Sequence, residues 1–163
     1  MKRTILALGV VLILFYVVTI LLTSTTVRST NSPNRAAQAV KDITEPRVPM
    51  ALLAEARKLK NPVQPTPENL AKGKLIFTGS GACYTCHGTE GKGDGPSSTQ
   101  LVPPPRDFTD PRFHGLRSDG ELYWVVTNGS PGTSMFAYAP QIISHEDAWY
   151  VVTYLQTLSK PAS

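Results

Sequence analysis

The chain has 163 residues, room for one globular domain and not comfortably for two. Its two cysteines are too few for a disulfide scaffold. The net charge of +4 does not signal nucleic acid: nine of the 16 Lys/Arg precede residue 66, against three acids, and no aromatic interleaving accompanies them.

Lys2-Arg3 open the chain, and an uncharged apolar run follows at residues 5–22. As a helix that run would be about 27 Å long, close to one hydrocarbon thickness. The competing reading is a cleaved signal peptide, whose apolar stretch ordinarily spans about 7–15 residues. The small-residue triplet Ala37-Gln38-Ala39 lies far downstream of the run. A retained transmembrane anchor is therefore expected at residues 1–23. Residues 24–65 read as a basic tether punctuated by Pro33, Pro46, Pro49, Pro62 and Pro65. A short helix fits residues 51–60, with Leu52, Leu53, Ala56 and Leu59 on one face. It would rest on the chain's own domain or on a partner.

Residues 66–163 form the expected domain, mildly acidic with seven Lys/Arg up to the C-terminus against nine Asp/Glu. Three helical patterns are predicted. The first has Thr66 as N-cap, Pro67 at N1 and Glu68 in the first turn, and stops at Gly79-Ser80-Gly81. The second follows a capping box, Ser118 to Glu121, and ends at Asn128-Gly129. The third opens at Ser144 and places Ala148, Val151, Val152, Leu155 and Leu158 at helical spacing. No convincing alternating strand lies between them. So small a domain with such long loops needs a staple beyond its own core.

That staple is written at Cys83-Tyr84-Thr85-Cys86-His87. Two thiols on one helical turn can meet two vinyl groups, and the next residue can donate an imidazole nitrogen to iron: this is the c-type haem attachment motif. A zinc site would need about four ligands, and only His114 and His145 remain, at unsuitable spacings. A thioredoxin-like pair would need a βαβ context, and a disulfide would leave His87 without a role. One covalent haem c with its iron is the expected cofactor. Haem is joined to this motif outside the cytoplasm, which puts the domain on the periplasmic side of a bacterial cytoplasmic membrane.

A second axial ligand is sought among Met135, Met50, His114 and His145. Met135 ends a Gly- and Pro-containing loop, residues 128–135, able to pass close over a flat ring. His/Met ligation would close the iron and favour electron transfer over catalysis. Gly88, Gly91, Gly93 and Gly95 suggest a tight loop at the haem edge rather than a phosphate loop. In Pro103-Pro104-Pro105-Arg106-Asp107-Phe108, a proline carbonyl could accept from the other nitrogen of His87. Arg106 would face a haem propionate or pair with Asp107 or Asp110. Trp124 and Trp149 read as core.

Over residues 66–159 the chain resembles the class I c-type cytochromes. The resemblance rests on Gly73 and Phe77 in the first helix, CYTCH, the loop GTEGKGDGP, PPPRDF, SPGTSM and the final AWYVVTYLQTL. It implies an all-α fold of three to five helices around one covalent haem, with the first and last helices crossing at Gly73 and Phe77 against Val151 and Tyr154. It also implies Cys83 and Cys86 as thioether sites, His87 as proximal ligand and Met135 as distal ligand. The wide gap between His87 and the proline run departs from the family pattern and leaves the carbonyl that supports His87 open. More loosely, anchor, tether and domain resemble the monohaem subunits of membrane-bound respiratory complexes such as the alternative complex III quinol oxidoreductases. The expected function is single-electron transfer in a respiratory or photosynthetic chain, as a complex subunit or a free tethered shuttle. A haem enzyme or sensor with an open sixth site is the alternative. Redox proteins and the membrane are the expected partners, with no nucleic acid or small-molecule substrate.

Overall fold

The computed structural model describes residue 13 and residues 15–19 and 43–159. The chain divides into two compact units, Met1–Ala39 and Val40–Ser163. In the first, residue 13 and residues 15–19 are helical and exposed. Among the described residues no helix is long and apolar enough to cross a membrane. Most of the anchor expected at residues 1–23 lies outside the described residues, as do residues 24–42 of the expected tether.

The second unit is helical, with no strand among the described residues. Its elements are α1 (Met50–Lys58), α2 (Pro67–Thr78), the single turn α3 (Tyr84–His87), α4 (Pro111–Gly115), α5 (Asp119–Asn128) and α6 (His145–Leu155), with a 3-10 turn at Ser98–Gln100. Local chemistry sets the ends. Thr66 accepts from the Asn69 amide at 3.2 Å, and Ser144 from the Asp147 amide at 2.9 Å. Ser118 and Glu121 complete both arms of the capping box. Each cap satisfies amides that the first helical turn leaves without internal partners. Helix α4 was not legible in advance. It is barely more than one turn, too short to show a period, and rests on Asp110 as N-cap with Pro111 behind it.

Helices α2 and α6 cross where Gly73 removes a side chain. A Cβ there would fall on the Tyr150 carbonyl and 2.8 Å from Tyr154 Cβ. The close approach lets Phe77, only 1% exposed, set its ring edge-on to Tyr154 at 5.6 Å between centroids. Phe108, Phe113, Val151, Val152 and Leu155 continue this core.

The domain boundary expected at residue 66 falls inside the compact unit. Residues 43–65 are not a free tether but packed structure. Leu53 and Ala56 of α1 bury with Val48 against Trp124 and Val125 of α5. Gly120 makes room for this docking, since a Cβ there would meet the Ala56 carbonyl and lie 2.9 Å from Leu59 Cβ. Arg57 Nε pairs with Glu121 at 3.2 Å, and Asn61 donates to Asp119 and Thr153, each at 3.0 Å. The apolar face at Leu53 and Ala56 thus rests on the chain's own domain, and the proline-rich composition gave the segment its tether-like look.

Candidate functional site

After α2 the chain reverses through residues 79–83. Gly81 donates to the Ile76 carbonyl at 2.8 Å, and Ala82 takes φ +47° just ahead of Cys83. The turn of α3 is then closed by the Cys83 carbonyl, which accepts from the amides of Cys86 and His87 at 3.3 and 2.9 Å. This puts both thiols and the imidazole on one turn. The glycine loop folds beneath it: Gly93 donates to the His87 carbonyl at 2.8 Å and Gly95 to the Cys86 carbonyl at 3.1 Å. Gly95 has to be glycine, because a Cβ would press on the carbonyl carbon of Cys86 at 2.7 Å.

His87 is held on two sides. Its Nδ1 donates to the Arg106 carbonyl at 3.1 Å, and its ring stacks on Phe108 at 4.5 Å. A carbonyl can only accept, so Nδ1 carries the proton and Nε2 keeps the lone pair. Burial pushes the ring below its ordinary pKa, outweighing the Arg106 carbonyl, so the imidazole stays neutral. The supporting carbonyl belongs to Arg106, not to one of the prolines as expected. The Pro105 carbonyl faces the glycine loop, 2.6 Å from where a Cβ on Gly93 would sit, and the following carbonyl meets the imidazole. Burial raises the Cys83 thiol to about 12, with its own backbone opposing and Cys86 adding to the rise.

Met135 arrives on a loop that folds back after α5. Gly129 takes φ +82°, Ser130 donates to the Met135 carbonyl at 2.8 Å, and the Met135 amide donates to Thr133 Oγ1 at 3.1 Å. Cys83, Cys86, His87 and Met135 all line one cleft, with Arg106, Phe108, Leu122 and Val126. The rival ligands lie elsewhere. Met50 is 76% exposed. His114 uses Nε2 on the Phe108 carbonyl at 2.7 Å and Nδ1 on Gln156 at 3.1 Å. His145 is exposed and meets the Tyr123 hydroxyl through Nδ1. No cluster of three or more His, Cys, Asp or Glu able to hold a metal occurs among the described residues.

The cleft encloses about 1070 Å³, counting its open mouth. An apolar slot with two thiols, a neutral imidazole and a thioether on its walls fits a covalently attached haem. Arg106 lines it too, and its Nη2 reaches the Glu45 carbonyl at 3.4 Å. Of its expected acidic partners, Asp110 holds Arg112, while Asp107 accepts from Thr109. The cleft also takes in Arg47, Val48, Arg117 and Glu121, which sequence reasoning missed. Arg117, 9% exposed, donates to the carbonyls of Ile43 and Glu45, 74 and 72 residues away, and so distant a backbone partner leaves no sequence signal.

A helical domain closing an apolar cleft around a Cys-X-X-Cys-His turn defines a c-type cytochrome. The Cytochrome c family model matches residues 70–159, more than half of the sequence, and the chain belongs to that family. Covalently bound haem c and electron transfer come with membership. Among solved structures, a reducing HAO-like protein complex from Kuenenia stuttgartiensis is similar, at 34% identity and a TM-score of 0.54. The match covers 61% of this chain and 47% of that one, so the chain spans about half the length of its structural relative. A comparison with curated proteins gives no match.

Proposed function

We propose that this chain is a membrane-anchored monohaem cytochrome that passes single electrons within a respiratory or photosynthetic membrane oxidoreductase. It acts as a carrier subunit, not as a catalyst. The observation that carries the reading is the convergence of Met135 on the cleft of Cys83, Cys86 and His87, while His114 and His145 are engaged elsewhere. Bound haem supplies an iron that cycles between ferric and ferrous states. Cys83 and Cys86 tie the macrocycle by thioethers. The Arg106 carbonyl fixes the His87 tautomer and ring direction for ligation, and the stack on Phe108 stops the ring from turning. The residue 128–135 loop brings Met135 to the cleft, where its thioether would serve as the second iron ligand. Apolar walls from Leu122 and Val126 would exclude water, and Arg106, on the same cleft, would be placed to meet a propionate.

The membrane assignment is supported by Lys2-Arg3 and the apolar run at residues 5–22. Haem attachment outside the cytoplasm puts the domain on the periplasmic side of a bacterial cytoplasmic membrane. A subunit role is supported by the docking of α1 on α5, which makes the segment after the anchor firm, and by likeness to one chain of a protein complex. The test is spectroscopic and electrophoretic. The ferric protein is expected to show the Met-to-iron charge-transfer band and to resist carbon monoxide when reduced. Lack of the band with ready ligand binding would return the open-site enzyme or sensor. Blue-native electrophoresis after mild extraction is expected to show a larger assembly, and migration only as a monomer would sink the subunit role.

A further inference from the structure

A line of polar side chains runs through the domain outside the cleft and ends behind His87. It starts at Asn61, upstream of the stretch that matches the family, residues 70–159. The Val63 amide donates to Asn61 Oδ1 at 2.9 Å, which turns Nδ2 toward Asp119 Oδ2 and Thr153 Oγ1, each at 3.0 Å. Asp119 Oδ1 accepts from Gln156 Nε2 at 2.8 Å. Gln156 Oε1 meets His114 Nδ1 at 3.1 Å, and His114 Nε2 meets the Phe108 carbonyl at 2.7 Å. Phe108 is the residue whose ring stacks on the imidazole of His87.

Donors and acceptors along this line determine where its protons sit. A carboxylate can only accept, so Gln156 turns its nitrogen to Asp119 and its oxygen to His114. The Phe108 carbonyl can only accept as well. Both ring nitrogens of His114 therefore face acceptors, and both bonds form only when the ring is an imidazolium. Moving the extra proton to Asp119 and turning the Gln156 amide over would satisfy the same atoms, but imidazole is the stronger base. A neutral ring keeps Nε2–H on Phe108 and sets a lone pair on Nδ1 against the Gln156 oxygen. Each element around the ring contributes differently. The residue 103–108 run presents the Phe108 carbonyl, and α5 presents Asp119 through Gln156, the residue that caps α6. On α4 itself Asp110 holds Arg112, and just beyond it Arg117 donates to backbone carbonyls and lies over the Phe113 ring at 6.0 Å.

We propose that His114 is a proton-held strut behind the proximal ligand: protonated, it ties the Phe108 backbone to Gln156, Asp119 and Asn61, and loss of its Nδ1 proton releases the tie and lowers the reduction potential of the haem. The inference rests on the haem reading above. His114 is a positioning residue, acting on His87 through Phe108 without touching the cofactor. The sign follows from charge: a cation on the His87 side of the cleft favours the added electron, so the potential falls as pH rises and the proton leaves. By linkage, when a redox partner reduces the iron, His114 draws protons from water more strongly than it does beside the ferric state.

The test uses the full-length holoprotein, whose three histidines are His87, His114 and His145. Wild type, His114→Gln, Gln156→Leu and, as a control, His145→Gln are titrated for midpoint potential across about pH 5–8, the span in which imidazoles change charge. Wild type and His145→Gln are expected to show the potential falling with pH in one proton step. His114→Gln should lose that step. Gln156→Leu removes the acceptor at Nδ1, which disfavours the charged ring, and should move the step to lower pH. Ring nitrogen NMR of the ferrous wild type should find both nitrogens of His114 protonated below the step and Nδ1 bare above it. A flat wild-type profile, a single protonated nitrogen below the step, or a step kept in His114→Gln with full haem content each overturns this inference and leaves the haem reading standing. Where His114→Gln loses its haem, an unmoved step in Gln156→Leu overturns the inference and a shifted one supports it. A wild-type protein without thioether-bound haem overturns both.

Discussion

At the residue scale, two kinds of position carry this molecule: those proposed to touch the cofactor and those that let helices meet. Met135 belongs to the first. Met135→Ala is expected to abolish the ferric charge-transfer band, lower the midpoint potential and admit carbon monoxide to the reduced protein, read by optical titration. An unchanged spectrum would reassign the ligand. Gly73 belongs to the second. Gly73→Ala should destabilise the fold by about 1–3 kcal/mol through overpacking against the Tyr150 backbone, since a carbonyl cannot move aside as a side-chain tip can. Denaturant unfolding followed by Soret absorbance measures it. The crossing at Gly73 was legible through the family resemblance, and the place of Met135 on the cleft through its loop, while its ligation of iron stays part of the proposal. The support of His87 was not legible, because a backbone carbonyl such as that of Arg106 carries no residue signature. Arg117 was missed for a related reason, since its acceptors are carbonyls far away in the chain.

At the element scale, the caps wrote themselves into the sequence. Thr66, Ser118 and Ser144 each sit where an exposed first turn needs an acceptor, and each accepts there. Helix α6 ends at Leu155, so Leu158, expected on its apolar face, packs against the core from the following turns instead. The placement of α1 was only half legible. Its apolar face could be read, but not the surface that receives it, because Trp124 and Val125 are contributed by α5 much later in the chain. Gly120 is the hinge of that contact. Gly120→Ala should lift α1 from α5 and raise hydrogen exchange across residues 43–61 more than across α2 and α6. Equal protection of all three regions would show that the docking does not depend on this close approach.

At the scale of the whole molecule, composition misled in one respect. The prolines and basic residues before residue 66 look like a uniform tether, yet the compact unit starts at Val40. Burial of Val48, Leu53 and Ala56 outweighs the loop-like composition around them. Residues 40–163, exported behind a cleavable leader so that haem can be attached, are therefore expected to fold, retain haem and stay in the aqueous phase of a detergent partition, while the full chain enters the detergent phase. Aqueous partition of the full chain would remove the anchor from the account.

The claim on which everything else depends is that Cys83 and Cys86 hold a single haem. A tryptic digest of the purified holoprotein tests it directly, because cleavage after Lys74 and Lys92 releases both cysteines in one peptide, residues 75–92. The account predicts that haem absorbance elutes with this peptide, that its mass is increased by one haem, and that no thiol remains to be alkylated. A peptide of unmodified mass with two free thiols, or with a disulfide between them, would contradict it.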